Sequence, residues 1–308
     1  MINIYEAIAA NKRKSAIVVT VFLLFFTAVV YVLSQAYVVY AGYEPGGLGY
    51  IGIAFILSGA MSFGSYYFSD KIVLGISGAK PADRKLHFDF YTTAENLAIG
   101  AGIPKPKLYV IDDTATNAFA TGRDPENAVV CVTSGLLDKL NRTELEGVIA
   151  HEFSHIKNYD MRLMSIVSVM VGTIALLGDW FLRMRFRGSR DNNKSGQIGA
   201  IFLILGFVFA LLSPIIANLI KLAISRRREF TADAGAIAIT RQPSGLISAL
   251  QKIASDREPL EVANKATAHL YIANPFKNKI GGGIGKFASL FNTHPSVEER
   301  IKMLQQMA

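Results

Sequence analysis

Cysteine occurs once in the 308 residues, at Cys131, so no intrachain disulfide can form. That excludes a disulfide-stapled secreted domain and agrees with a reducing compartment. Charge is also sparse. Only 18% of residues are charged against 51% hydrophobic, a balance too apolar for an ordinary soluble domain. The deficit is local: no charged side chain occurs from Ser15 to Tyr43 or from Pro45 to Ser69. Each stretch is long enough for the ~20 residues a helix needs to cross hydrocarbon. A secretory signal would be shorter and would not be followed so closely by a second apolar run. The pattern predicts a transmembrane hairpin over residues 1–70.

Lysine and arginine are missing between Ser15 and Asp70, whereas Lys12, Arg13 and Lys14 precede the first run and Lys71, Lys80, Arg84 and Lys85 follow the second. The positive-inside rule then places the N-terminus and the chain beyond the hairpin in the cytoplasm, at the plasma membrane, with a short outer loop around Glu44. The net charge of +8 suits contact with anionic lipid. The bases are mostly juxtamembrane and no nucleic-acid motif accompanies them, so the expected partner is the bilayer and not nucleic acid.

Histidine is scarce as well, at five residues, yet two of the five fall in His151-Glu152-Phe153-Ser154-His155. On a helix, imidazoles four apart lie about 40° apart around the axis and ~6 Å apart along it, so both can reach one metal ion. Glu152, next to the first, can take a proton from a metal-bound water without itself becoming a ligand. The flanks read as helix: Asn141 or Thr143 can cap the start, and Thr143 with Glu146 fits a capping box. Leu145, Val148, Ile149, Phe153 and Ile156 recur at spacings of three and four, which predicts a buried apolar face. Two surface histidines on a soluble helix are the bland alternative.

Between the hairpin and this helix the pattern predicts a helix over 88–100, then strands at 107–111, 117–122 and 128–133, then a short helix over 135–140. That is a compact, mostly helical α+β domain with a small mixed sheet. Apolar sequence resumes at Leu163 to Gly178 and at Ser195 to Ile220. These runs predict a second hydrophobic hairpin over 163–220, inserted between two parts of one cytoplasmic domain, 71–162 and 221–308. The connecting loop would carry Arg183, Arg185, Arg187, Arg190 and Lys194, against the charge rule for a full crossing. Either way the number of crossings is even, which keeps both parts on one side. Gly281 to Gly285 reads as a flexible loop.

A catalytic zinc needs a third protein ligand and an open position. The positions three and six after His155 are Asn158 and Met161, not the glycine and histidine of metzincins. His87, His269, His294 and a carboxylate from another helix remain. The best of these is Glu229, four residues before Asp233, in a stretch where Ala232, Ala234, Gly235 and Ala236 permit close helix approach. An acidic pair answering Arg226, Arg227 and Arg228 is the competing reading. In the metal reading Glu229 ligates and Asp233 orients a ligating histidine.

Together these blocks resemble the HtpX-type membrane zinc metalloproteases, of the gluzincin group that includes the CAAX prenyl proteases. The resemblance covers nearly the whole chain: the paired N-terminal runs, Asn117 to Gly122, His151 to Asp160, Glu229 to Asp233, and Thr293-His294-Pro295-Ser296 through Arg300. It implies one Zn²⁺ per subunit and polypeptide substrates, membrane proteins among them, in membrane quality control. It also implies that Asn117 and Ala118 on an edge strand bind substrate backbone, and that His294 and Arg300 hold substrate or stabilise the oxyanion. Tyr271 to Pro275 belongs to the resemblance without a chemical role. Processing of prenylated C-termini is a second enzyme reading, disfavoured by four or fewer spans. A non-catalytic zinc scaffold is the third, disfavoured by Glu152.

Overall fold

The structure, a computed structural model, describes residues 4–40, 49–187, 225–263, 267–276 and 295–307. The chain opens with α1 (Ile4–Tyr40), α2 (Gly49–Tyr67) and α3 (Ser69–Ile76). Among the described residues, Ile8–Val32 of α1 is the single helix long and apolar enough to cross a membrane; α2 and α3 qualify only as a pair. They meet at 72°. Phe68 leaves the helical basin between them at φ −110° and ψ 15°, so the second expected span is a broken helix and not a straight one. The expected loop around Glu44 and the run 195–220 lie outside the described residues.

The middle of the chain follows the sequence expectation closely. β1 (Lys80–Pro81), α4 (Phe88–Ala101), β2 (Lys107–Ile111), β3 (Ala118–Thr121), β4 (Val129–Thr133), α5 (Ser134–Lys139) and α6 (Arg142–Lys157) follow in order. α4 ends where Gly102 turns left-handed at φ 67°, a conformation that costs glycine nothing. The sheet order is β1-β2-β4-β3, with the β2–β4 pair parallel and the other two antiparallel. β1 was not foreseen; two residues carry no alternation to read.

Both faces of the sheet are covered, which is why β4 is buried at all five positions. Leu108, Val110, Val130 and Val132 face one core with α4 and α6, while Ile111, Phe119 and Cys131 face a second core with α1 and α7 (Asp160–Arg187). The lone Cys131 is free and buried, and burial pushes its thiol pKa up.

Helix α7 runs unbroken to Arg187, so Arg183, Arg185 and Arg187 are helical and not part of the expected loop. Nothing in 163–182 breaks the helix. After the undescribed 188–224 come α8 (Arg226–Thr240) and α9 (Pro243–Ser255), and near the C-terminus α10 (Val297–Gln305).

Candidate metal centre

Helix α6 is fixed at its start and along one side. Asn141 is the N-cap: its side chain accepts from the Glu144 N–H, and the Glu144 carboxylate accepts from the Asn141 N–H. The expected box on Thr143 and Glu146 is therefore shifted two residues back, because Asn141 is the residue in extended conformation. Glu144 also accepts from Ser248 and Lys252 on α9, at 2.6 and 2.7 Å. The apolar positions read from the spacing, Leu145, Val148, Ile149, Phe153 and Ile156, are all in the core.

The second wall is α8. A Cβ on Gly235 would lie 2.1 Å from Ser154 Oγ, so only glycine lets α8 approach α6 this closely. The small residues around it serve the same approach, and they bring Glu229 beside the two histidines. His151 Nε2 and His155 Nε2 are 3.2 Å apart. Glu229 Oε2 is 3.8 Å from the first and Oε1 is 3.6 Å from the second. Two ligands of one tetrahedral zinc at ~2.0–2.1 Å must sit ~3.3 Å apart, so the donor set and its spacing fit zinc. These three residues are the group of potential metal ligands found among the described residues. His87 stands at the start of α4 with its ring accepting from the Asp83 N–H, and His269 is buried against Ser168 and the Met164 carbonyl, so neither joins them. His294 lies outside the described residues.

Each of the two imidazoles is held from behind by a carboxylate. Asp233 Oδ1, expected from the sequence beside a histidine, is 2.9 Å from His151 Nδ1. Asp160 Oδ2 is 3.0 Å from His155 Nδ1, and that residue had no role in the reading. A bond from Nδ1–H to a carboxylate fixes the tautomer and leaves Nε2 free to ligate. Periodicity could not have found Asp160. Five residues after His155 it would point to another face of a continuous helix; Tyr159 at φ 59° turns the chain and brings it back.

The site is closed and charge-rich. His151, Glu152, His155 and Glu229 are each at most 4% exposed. Together with Ala120, Met164 and Leu270–Ile272 they enclose about 10 Å³, room for one water-sized particle. Burial drives His151 down to about 4, with the Arg300 cation pushing the same way. Burial pulls His155 down too, but the Asp160 hydrogen bond and the nearby carboxylates outweigh it and raise that imidazole to about 9. Glu152 is pushed up to about 7, chiefly by burial, although the Ala120 N–H donates to it and favours its ionised form. Asp233 resists burial because Arg300 and His151 hold it down at about 2.

Arg300, expected at the substrate, sits 1% exposed with its fork on Asp233, Nε to Oδ2 at 2.9 Å and Nη2 to Oδ1 at 2.6 Å. Its remaining arm, Nη1, donates to the Ile272 carbonyl at 3.3 Å. Asn117 is buried and bonds Ala273 through its side chain; the Ala118 carbonyl accepts from the Ile272 N–H. The segment for which the sequence offered no role thus bonds Asn117, Ala118 and Arg300.

Residues 88–308 match the model of peptidase family M48. Similar curated proteins include a "Protease HtpX homolog" from Dictyoglomus turgidum, 46% identical over 305 residues, covering 98% of this chain and 94% of the relative. Another from Streptococcus uberis is 38% identical over 308 residues, covering 99% of this chain and all of the relative. Among solved structures, S. mikatae Ste24p aligns over 83% of this chain and 58% of its own length, at 20% identity and a TM-score of 0.44.

Proposed function

The chain belongs to peptidase family M48 and is a metalloprotease, and from that premise we propose a membrane-held zinc endopeptidase acting on polypeptides at the cytoplasmic face. The observation that carries this reading is the convergence of His151, His155 and Glu229, with ligand atoms within 4.8 Å of one another, beside a buried Glu152. These three residues would hold one zinc ion per chain. When bound, zinc would supply a Lewis acid that polarises the scissile carbonyl and acidifies the attacking water.

Glu152 carries the proton. A carboxylate poised near neutral both accepts a proton from the attacking water and releases it to the leaving amine. Asp233 and Asp160 keep the two imidazoles oriented, and Arg300 in turn fixes Asp233. An extended substrate adds along β3 at Asn117 and Ala118. In that pose it replaces Ile272 at the Ala118 carbonyl and meets the arm of Arg300 that Ile272 now holds; His294 of the terminal segment contributes to the oxyanion.

The N-terminal apolar helix and the distribution of lysine and arginine support a multi-pass anchor with the catalytic domain in the cytoplasm. Substrates are then damaged or unfolded chains at the bilayer, in membrane quality control. The test is hydrolysis of casein by the full-length protein in detergent with zinc restored. Glu152→Gln should lower the rate by about 10²–10⁴ while zinc content stays at one per chain. Undiminished hydrolysis would remove Glu152 from its role, and a wild-type protein that binds no zinc would overturn the reading itself.

A further inference from the structure

Asn11 belongs to the N-terminal apolar helix, yet it is 4% exposed and its contacts lie at the metal centre. Its amide Nδ2 donates to Asp160 Oδ1 at 2.7 Å and to the Asn158 carbonyl at 3.0 Å. Both partners are acceptors, so the amide nitrogen and not its oxygen must face them. Asp160 in turn holds His155 Nδ1 through its other oxygen. Residues 1–87 lie outside the M48 match, so this contact joins the family domain to a segment the family match does not include.

From this we infer that Asn11 is a positioning residue for the metal ligand His155, which makes the N-terminal apolar helix part of the support of the metal site as well as an anchor. The inference rests on the zinc reading of the site given above. The argument is one of competition for a buried carboxylate. Asp160 is 1% exposed, and its Oδ1 has two cationic or donor neighbours: Asn11 at 2.7 Å and Arg228 Nε at 3.6 Å. Without the Asn11 amide, Oδ1 lacks its close donor, and a buried acceptor so deprived moves to find another. The nearest is Arg228, and turning toward it takes Oδ2 away from His155.

Two further contacts fix α1 at this place. Lys12 Nζ stands 4.3 Å over the ring of Tyr159, the residue whose left-handed conformation returns Asp160 to the site. Higher along α1, Val18, Phe22 and Phe26 are buried in one core with Leu163 and Val167 of α7. The apolar seam sets where the helix lies, and Asn11 connects that position to the imidazole.

The experiment measures zinc release from the full-length, detergent-solubilised protein to a chromophoric chelator, together with kcat and KM on casein. Wild-type stoichiometry comes first: no bound zinc defeats the zinc reading, whatever Asn11 does. Given bound zinc, Asn11→Asp and Asn11→Ala should both release it about tenfold faster, the lower end of what supporting residues typically contribute. Asp is the same shape as Asn but turns a carboxylate toward Asp160, so it should be the worse of the two, and kcat should fall more than KM changes. In an Asp160→Asn background, Asn11→Ala should add nothing further. Ser15→Ala, which loses only a bond to the Asn11 carbonyl within the same helix, should release zinc at the wild-type rate. Wild-type release from Asn11→Asp, or equal acceleration by Ser15→Ala, would overturn the inference. If Asn11→Asp fails to fold, Asn11→Ala and its loss of effect beside Asp160→Asn decide it.

Discussion

The backbone N–H of Ile272 donates to the carbonyl of Ala118 at 2.9 Å, so the outer edge of β3 is engaged by this chain's own backbone. A substrate strand that adds at Ala118 must take that bond over. Amide hydrogen exchange at Ile272 should therefore speed up when a saturating extended peptide is added to the zinc-loaded Glu152→Gln protein. Peptide binding with unchanged protection at Ile272 would mean that substrate does not add at this edge.

Asp160 and Asp233 hold equivalent positions behind His155 and His151. Asp160→Asn and Asp233→Asn should each weaken zinc binding by about 10–100-fold, read by competition with a chelator of known affinity. Equal and near-wild-type affinities in both would deny the carboxylates a part in the site.

Gly235 sets the distance between α6 and α8, since a Cβ there would lie 2.1 Å from Ser154 Oγ and 2.8 Å from Ser154 Cβ. Gly235→Ala should destabilise the protein by about 1–3 kcal/mol through overpacking and lower zinc occupancy by displacing Glu229. Adding Ser154→Gly clears both atoms and should recover much of the loss in a denaturation curve. No recovery would place the constraint elsewhere.

Glu144 ties the start of α6 to α9. Burial raises its pKa, but the Lys252 and Ser248 side chains and the Asn141 N–H outweigh this and leave it below the ordinary glutamate value. A depressed folded-state value means that the contribution is present above the unfolded pKa and lost as pH falls through the folded one. The stability gap between wild type and Glu144→Gln should hold from neutral pH to about 5 and shrink below the usual glutamate pKa of ~4.3. A gap independent of pH would show that the carboxylate charge does not matter.

Much of the domain was legible because its signals are local. The period of Leu145, Val148, Phe153 and Ile156 records the face that α6 buries, and β-branched runs record strands buried on both sides. His151 and His155 were legible as a pair because a helix converts a spacing of four into one face. Asn141 and Thr143 both satisfy the sequence rule for the cap, and only backbone conformation selects Asn141 and moves the capping box from Thr143 and Glu146 to Asn141 and Glu144. The bend at Phe68 and the continuous α7 were missed because hydropathy records burial and not helix direction.

By itself the sequence singled out the residues of the candidate metal site: two imidazoles four apart, a neighbouring carboxylate and a separate acidic residue amid small ones. It also determined where charge is excluded, since that is a matter of composition along the chain. Apart from Asp233, the groups that stand behind the two imidazoles were decided by the tertiary structure alone. Asp160 reaches His155 through a left-handed turn at Tyr159, Arg300 reaches Asp233 across 67 residues, and Asn11 reaches Asp160 across 149. Such contacts follow from how helices dock on one another, and docking leaves no period in the sequence to read.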